Sequence, residues 1–203
     1  MSGAEALPGA PRARLVLASA SPRRRELLSR LGLEPDCIDP PAIDESPRRG
    51  ERPRELALRL AEAKLAAILP RHPGAFILAA DTVVAAGRRI LPKAESREAA
   101  RAALALLSGR RHRVWSGVVL AAPDGRRARR VVGSIVAFAR LTPAEIETYL
   151  ASGEWEGKAG GYAIQGRAEG FVRFLSGSYS NVVGLPLFET RQLLKGLGWP
   201  GPL

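Results

Sequence analysis

The apolar positions of this chain alternate between short dense runs and longer stretches with helical spacing. Runs at 14–18, 75–80, 83–86, 114–121, 131–139 and 171–175 are rich enough in Val, Ile, Leu, Phe and Ala to predict strands. In the stretch 53–69, Leu56, Leu60, Ala63 and Ala67 recur at steps of three and four, which predicts an amphipathic helix with Lys64 near its apolar edge. Residues 96–107 repeat the pattern with Ala99, Ala103, Leu106 and Leu107. Thr142-Pro143-Ala144-Glu145 reads as a capping box with proline in the first turn, opening a helix that runs through Ile146, Tyr149 and Leu150 to Gly153. A last helix is expected over 187–197. The alternation predicts an α/β fold, a mixed sheet flanked by helices, in one domain over 14–197. Residues 1–13 and 198–203 are expected to be a flexible extension and a flexible tail.

With 203 residues, 46% of them hydrophobic, the chain can bury a sizeable core. No run approaches the roughly 18 apolar residues of a membrane helix, and the N-terminus lacks the apolar stretch of a signal peptide, so a soluble cytoplasmic protein is expected. The single cysteine, Cys37, is expected to be a buried small hydrophobe. A formal charge of +11 draws attention to polyanions. The positive residues are nonetheless spread along the sequence, and aromatics at 5% are too few for base-stacking platforms, so direct nucleic-acid binding is not the expected role. The clusters at 110–113 and 126–130 read as turn-flanking surface. Lysine occurs only at 64, 93, 158 and 195, against a background of arginine. A lysine retained in such a background suits a single phosphate oxygen in a narrow site, where a planar guanidinium fits poorly.

Three segments carry candidate chemistry. Ser21 is a candidate N-cap for a helix starting at Pro22, with Leu27, Leu28 and Leu31 as its apolar face. Arg23 and Arg24 then crowd the positive end of the helix dipole, an arrangement that calls for an anion, phosphate being the natural one. Asp81 follows the apolar run at 75–80, at the expected carboxyl end of a central strand, where open α/β sheets hold their ligands. Together with Glu45 it offers carboxylates for a divalent metal cation, Mg or Mn. The glycine-rich stretch 157–166 permits close backbone approach to a ligand, and its Gln165 can both donate and accept hydrogen bonds against a base edge. No P-loop, Rossmann glycine fingerprint or nucleophile elbow occurs, and His72 and His112 support neither a metal site nor a catalytic triad. The remaining inventory of carboxylates, lysines and arginines suits metal-assisted hydrolysis of a phosphoanhydride.

Taken together, the segments 17–24 (LASASPRR), 44–45 (DE), 61–64 (AEAK), 80–83 (ADTV), 158–166 (KAGGYAIQG) and 183–187 (VGLPL) resemble the Maf family of nucleotide pyrophosphatases. The resemblance runs from about Arg14 to Leu197 with the motifs in family order. It implies hydrolysis of a nucleoside triphosphate to the monophosphate and pyrophosphate with a divalent metal and no covalent intermediate. It further implies an elongated fold similar to inosine triphosphate pyrophosphatases, with a cleft between two lobes, and a possible homodimer. Arg23, Thr82 and Gln165 match positions tied to dTTP and UTP in one branch of the family, whereas a sister branch prefers 7-methyl-GTP. Asp81 matches the family's proton acceptor, while Glu45, Lys64 and Lys93 match its polar site; with Ser21 and Arg24 these form the expected substrate contacts. One departure is local: the family commonly has proline after the lysine at 93, whereas here Pro92 precedes it and Ala94 follows. Two alternatives remain, a basic nucleic-acid or regulatory binding protein with a non-hydrolytic nucleotide pocket, and a pyrophosphatase for modified nucleotides.

Overall fold

A computed structural model describes residues 13–203; most of the extension expected at 1–13 lies outside the described residues. The elements, in order, are β1 (Leu15–Leu17), α1 (Pro22–Ser29), β2 (Cys37–Ile38), α2 (Pro53–Ile68), β3 (Phe76–Ala86), β4 (Arg89–Leu91) and α3 (Arg97–Leu107). There follow β5 (Arg111–Ala121), β6 (Arg127–Phe138), α4 (Pro143–Ala151), β7 (Val172–Ser176), α5 (Tyr179–Val183) and α6 (Leu187–Gly196). The strands form one seven-stranded mixed sheet of order β2-β1-β3-β5-β6-β7, with β4 pairing back on β3. The expected α/β class is therefore observed.

Period-two alternation along β3 splits the core. Leu78, Ala80 and Val84 enter the larger cluster, which also contains α1, α3 and α4 side chains, while Ile77, Ala79 and Val83 pack with α2. The α2 face that is buried comprises Leu56, Ala57, Leu60, Ala61, Lys64, Leu65 and Ile68. The stripe is thus rotated by about one residue from the expected one. Lys64 lies inside it, not at its edge, and is only 8% exposed. The same rotation occurs in α3, where Ala100, Leu104 and Leu107 are buried. Alanine is the reason in both helices, since it is compatible with either face and blurs the register of an apolar stripe.

Close approach of α2 to the sheet depends on Gly117 in β5. A Cβ there would stand 2.3 Å from the Ala57 carbonyl oxygen and 2.7 Å from Leu58 Cα, both backbone atoms. Gly117 is the register partner of Asp81 on β3, so the helix crosses the sheet beside the candidate acid.

Several expectations need correction. The runs at 75–80 and 83–86 are one continuous strand, because Asp81 and Thr82 keep pairing with Gly117 and Ser116 on β5. Asp81 therefore stands mid-strand, not at a strand end. The arginine clusters are surface that flanks turns, as expected, but they lie within the strands and not beside them: Arg111–Arg113 open β5 and Arg127–Arg130 open β6. Between two exposed arginines His112 is buried, bonded through Nε2 to the Tyr162 hydroxyl at 2.8 Å. Cys37 is only partly covered, on the short strand β2 at the edge of the sheet. The segment 198–203 is anchored by Trp199, whose ring meets Phe76 edge-on at 5.2 Å.

Candidate active site

The strand β1 ends at Leu17, opposite Leu78, and β4 begins its pairing only at Val84. Both lie on the side of β3 away from β5, so residues 79–83 have no strand beside them on that side. A cleft of about 640 Å³ opens at this gap. Asp81 and Thr82 point to opposite faces of the sheet, yet both line the cleft, because the missing neighbour lets it reach around the strand. The carboxyl-end rule that pointed to Asp81 is satisfied by β1, whose C-terminal turn delivers Ser19, Ser21 and α1 to the same place.

On the α2 side, four charged groups form an alternating chain. Asp81 Oδ1 accepts from Lys64 Nζ at 2.5 Å, the same ammonium meets Glu45 Oε1 at 2.7 Å, and Glu45 Oε2 accepts from Lys93 Nζ at 2.7 Å. Burial opposes ionisation of Glu45, but hydrogen bonds and charge from Lys64 and Lys93 prevail and hold its pKa down at about 2. Asp81 is buried and its second oxygen carries no hydrogen bond among the described residues.

On the opposite face, Arg24 is buried without a carboxylate partner among the described residues. Its Nε donates to the Gly184 carbonyl at 2.9 Å, one terminal nitrogen to Ser19 Oγ at 2.9 Å and the other to Thr82 Oγ1 at 3.3 Å. Burial lowers its pKa, and Asp81 and Glu45 partly restore it. A buried guanidinium satisfied only by neutral groups leaves net positive charge in the site. Thr82 Oγ1 also meets Ser116 Oγ at 2.9 Å, so the threonine hydroxyl is engaged in holding Arg24.

Ser21 occupies the N-cap position of α1, but its side chain makes no capping hydrogen bond, and no acidic residue sits in the first turn. Arg23 lines the cleft half-buried, with burial and then the adjacent Arg24 pressing its pKa down. Lys93 is carried on a backbone ledge: it forms an isolated antiparallel bridge with Ala159, the local geometry adopted where the family pattern departs. Gln165 lies exposed at the rim of the glycine-rich turn, which contains left-handed Gly157, Gly160 and Gly161. All nine residues singled out from the sequence border this one cleft. Sequence reasoning missed Ser19, Ser116 and the Gly184 carbonyl, which hold Arg24 and Thr82. Only Ser19 and Gly184 lay within recognisable motifs; nothing in the sequence distinguishes Ser116 from any strand serine.

The Maf-like protein family model matches residues 14–197. The chain belongs to that family. A protein of Paramagnetospirillum magneticum named dTTP/UTP pyrophosphatase is 63% identical over 185 residues, covering 91% of this chain and 97% of its own length. One from Rhodospirillum rubrum with the same name is 62% identical over 188 residues, covering 92% and 90%. Among solved structures, the Ham1 protein of Staphylococcus aureus is a distant likeness: 18% identity, TM-score 0.42, covering 62% of this Maf-like chain and 72% of that one.

Proposed function

We propose that this protein hydrolyses dTTP and UTP to the monophosphate and pyrophosphate. The observation that carries the reading is the family's carboxylate and cation set converging on one cleft, in a chain about 60% identical to relatives named for that reaction. Ser21, the first-turn N–H groups of α1, Arg23 and Arg24 bind the triphosphate, and Lys64 and Lys93 neutralise charge along it. Water attacks the α-phosphorus, its proton passes to the free oxygen of Asp81, and the bond to the β-phosphate breaks so that pyrophosphate leaves. Lys64 orients Asp81 by gripping Oδ1. Positioning and charge stabilisation supply most of the rate in such chemistry.

Glu45 and Asp81 suit a divalent cation, since Mg²⁺ commonly takes one or two carboxylates completed by substrate oxygens and water. Their oxygens converge on a single point of positive charge, now Lys64 Nζ, so an ammonium and a metal ion compete for them. Bound there, Mg²⁺ or Mn²⁺ would polarise the α-phosphate. Gln165, whose amide has no hydrogen-bond partner among the described residues, reads the carbonyl and imino edge of the pyrimidine, while Thr82 helps to hold Arg24 against the phosphates. A cytoplasmic nucleotide-pool role and a homodimer belong to the same reading; no helix among the described residues is long and apolar enough to cross a membrane.

The test is pyrophosphate release from a panel of common and modified triphosphates, with and without Mg²⁺ or Mn²⁺. Preferential release from dTTP and UTP is expected. Nucleotide binding with no turnover of any substrate would instead support the regulatory binding protein, and preference for a modified base the alternative pyrophosphatase.

A further inference from the structure

The cleft is lined by five cationic side chains, Arg23, Arg24, Lys64, Lys93 and Lys158, against the three carboxylates of Glu45, Asp81 and Glu156. The positive side chains differ in how they are satisfied. Lys64 and Lys93 are paired with Asp81 and Glu45, and Arg24 is engaged by Ser19, Thr82 and Gly184. Lys158 meets only a neutral acceptor, the Glu156 carbonyl at 2.8 Å, and pairs with no carboxylate among the described residues. Arg23 likewise has no ion-pair partner there. Two unneutralised cations thus face the same solvent-filled space.

We propose that Lys158 and Arg23 form a second phosphate-binding subsite, which grips the phosphate chain apart from the Asp81–Lys64–Glu45–Lys93 group. The inference deepens the proposed function and rests on the cleft taking a nucleotide. The backbone under Lys158 is fixed in advance. Ala94 N–H donates to the Lys158 carbonyl at 3.0 Å, Gly157 N–H to the Ala94 carbonyl at 2.9 Å, and Gly160 N–H to the Pro92 carbonyl at 3.1 Å. With the Lys93–Ala159 bridge, these bonds build one ledge that carries both lysines, so little ordering is left for binding to accomplish. Its bond to the Glu156 carbonyl uses one ammonium proton and leaves two for phosphate oxygens. Burial first, and then the charge of Arg23, lowers the Lys158 pKa, a strain that an anion between the two relieves.

The experiment is calorimetric titration of inorganic pyrophosphate into the full-length protein and its Lys158→Met, Lys158→Arg and Lys195→Met variants, with thermal melting of each. Lys158→Met should weaken binding about tenfold, Lys158→Arg should stay within about threefold of the parent, and Lys195→Met, which removes a charge outside the cleft, should leave binding unchanged. Parent-like affinity in Lys158→Met overturns the subsite. So does loss of binding in both Lys158 variants together with a lowered melting temperature, which would make the residue structural, or no pyrophosphate binding by the parent. Turnover of dTTP is assayed separately on the parent. Its absence defeats the proposed activity, while the calorimetric comparison still decides the subsite.

Discussion

Gly117→Ala offers a stringent test of how the fold sets the site. The added methyl would lie 2.3, 2.6 and 2.7 Å from Ala57 O, Ala57 C and Leu58 Cα, where ordinary contact begins near 3.4 Å. All three atoms are backbone, so no side-chain rotation relieves the overlap. Either α2 or β5 must retreat by about 1 Å, and overpacking of this kind costs about 1–3 kcal/mol. With the backbone of a buried helix as the obstacle, the upper half of that range is expected. For a chain of this size the loss corresponds to a fall in Tm of roughly 4–12 °C. Lys64 lies two turns beyond Ala57 on the same helix, and its 2.5 Å contact with Asp81 cannot survive such a displacement unchanged. Misplacement by about 1 Å can lower a rate about 100-fold. Melting and dTTP turnover measured on the same preparation check both effects. A variant within 1 °C of the parent, by this reasoning roughly 0.3 kcal/mol, and within about twofold in kcat/KM would refute the claim that this glycine seats the helix.

Other outcomes follow from the same geometry. Asp81→Asn should fold, bind dTTP and lose roughly a thousandfold or more in kcat, as expected for removal of a general base; near-normal turnover in a pyrophosphate-release assay would remove Asp81 from the chemistry. Gln165→Glu should change the ratio of kcat/KM values for dTTP against other triphosphates while leaving pyrophosphate affinity within about threefold, and equal losses for every base would contradict its role as a base reader. His112 is buried with an unpartnered Nδ1, and burial lowers its pKa from 6.5 to about 4. The unfolded chain therefore takes up the proton first: stability is full above pH 6.5 and declines as pH falls towards 4, by up to roughly 3 kcal/mol. Denaturant unfolding of the parent and His112→Gln across that interval should show a decline larger in the parent by up to roughly 3 kcal/mol, since the loss from paired carboxylates such as Glu45 below about pH 4.5 is common to both.

How much of this was legible in the sequence depended on the kind of signal. Capping chemistry was decisive: Thr142 and Glu145 form the expected reciprocal cap, with the Thr142 N–H donating to Glu145 at 2.7 Å. Strand interiors were legible from apolar runs, but their limits were not. Charged residues on a solvent-facing edge look like turns, which shortened β6 at its arginine end, and two polar side chains lining a cleft divided β3 in two. The short strands β2 and β4, of two and three residues, have too few positions to show any period. The residues at the cleft were visible through motif spacing, whereas their partnerships were not, because contacts such as Arg24 with Gly184 join positions 160 residues apart. Alanine-rich helices concealed which face was inward, and with it the burial of Lys64.

The brevity of β1 has a consequence for how this protein could change over time. Five additional residues with alternating apolar side chains would let the first strand continue along its neighbour as far as Val83, satisfying peptide groups that now face the cleft. Such an insertion would lengthen the sheet and raise stability while filling the notch in which the acid and the guanidinium meet. Catalysis here therefore occupies a deliberate gap in the hydrogen-bond ladder, and selection for robustness alone would tend to close it.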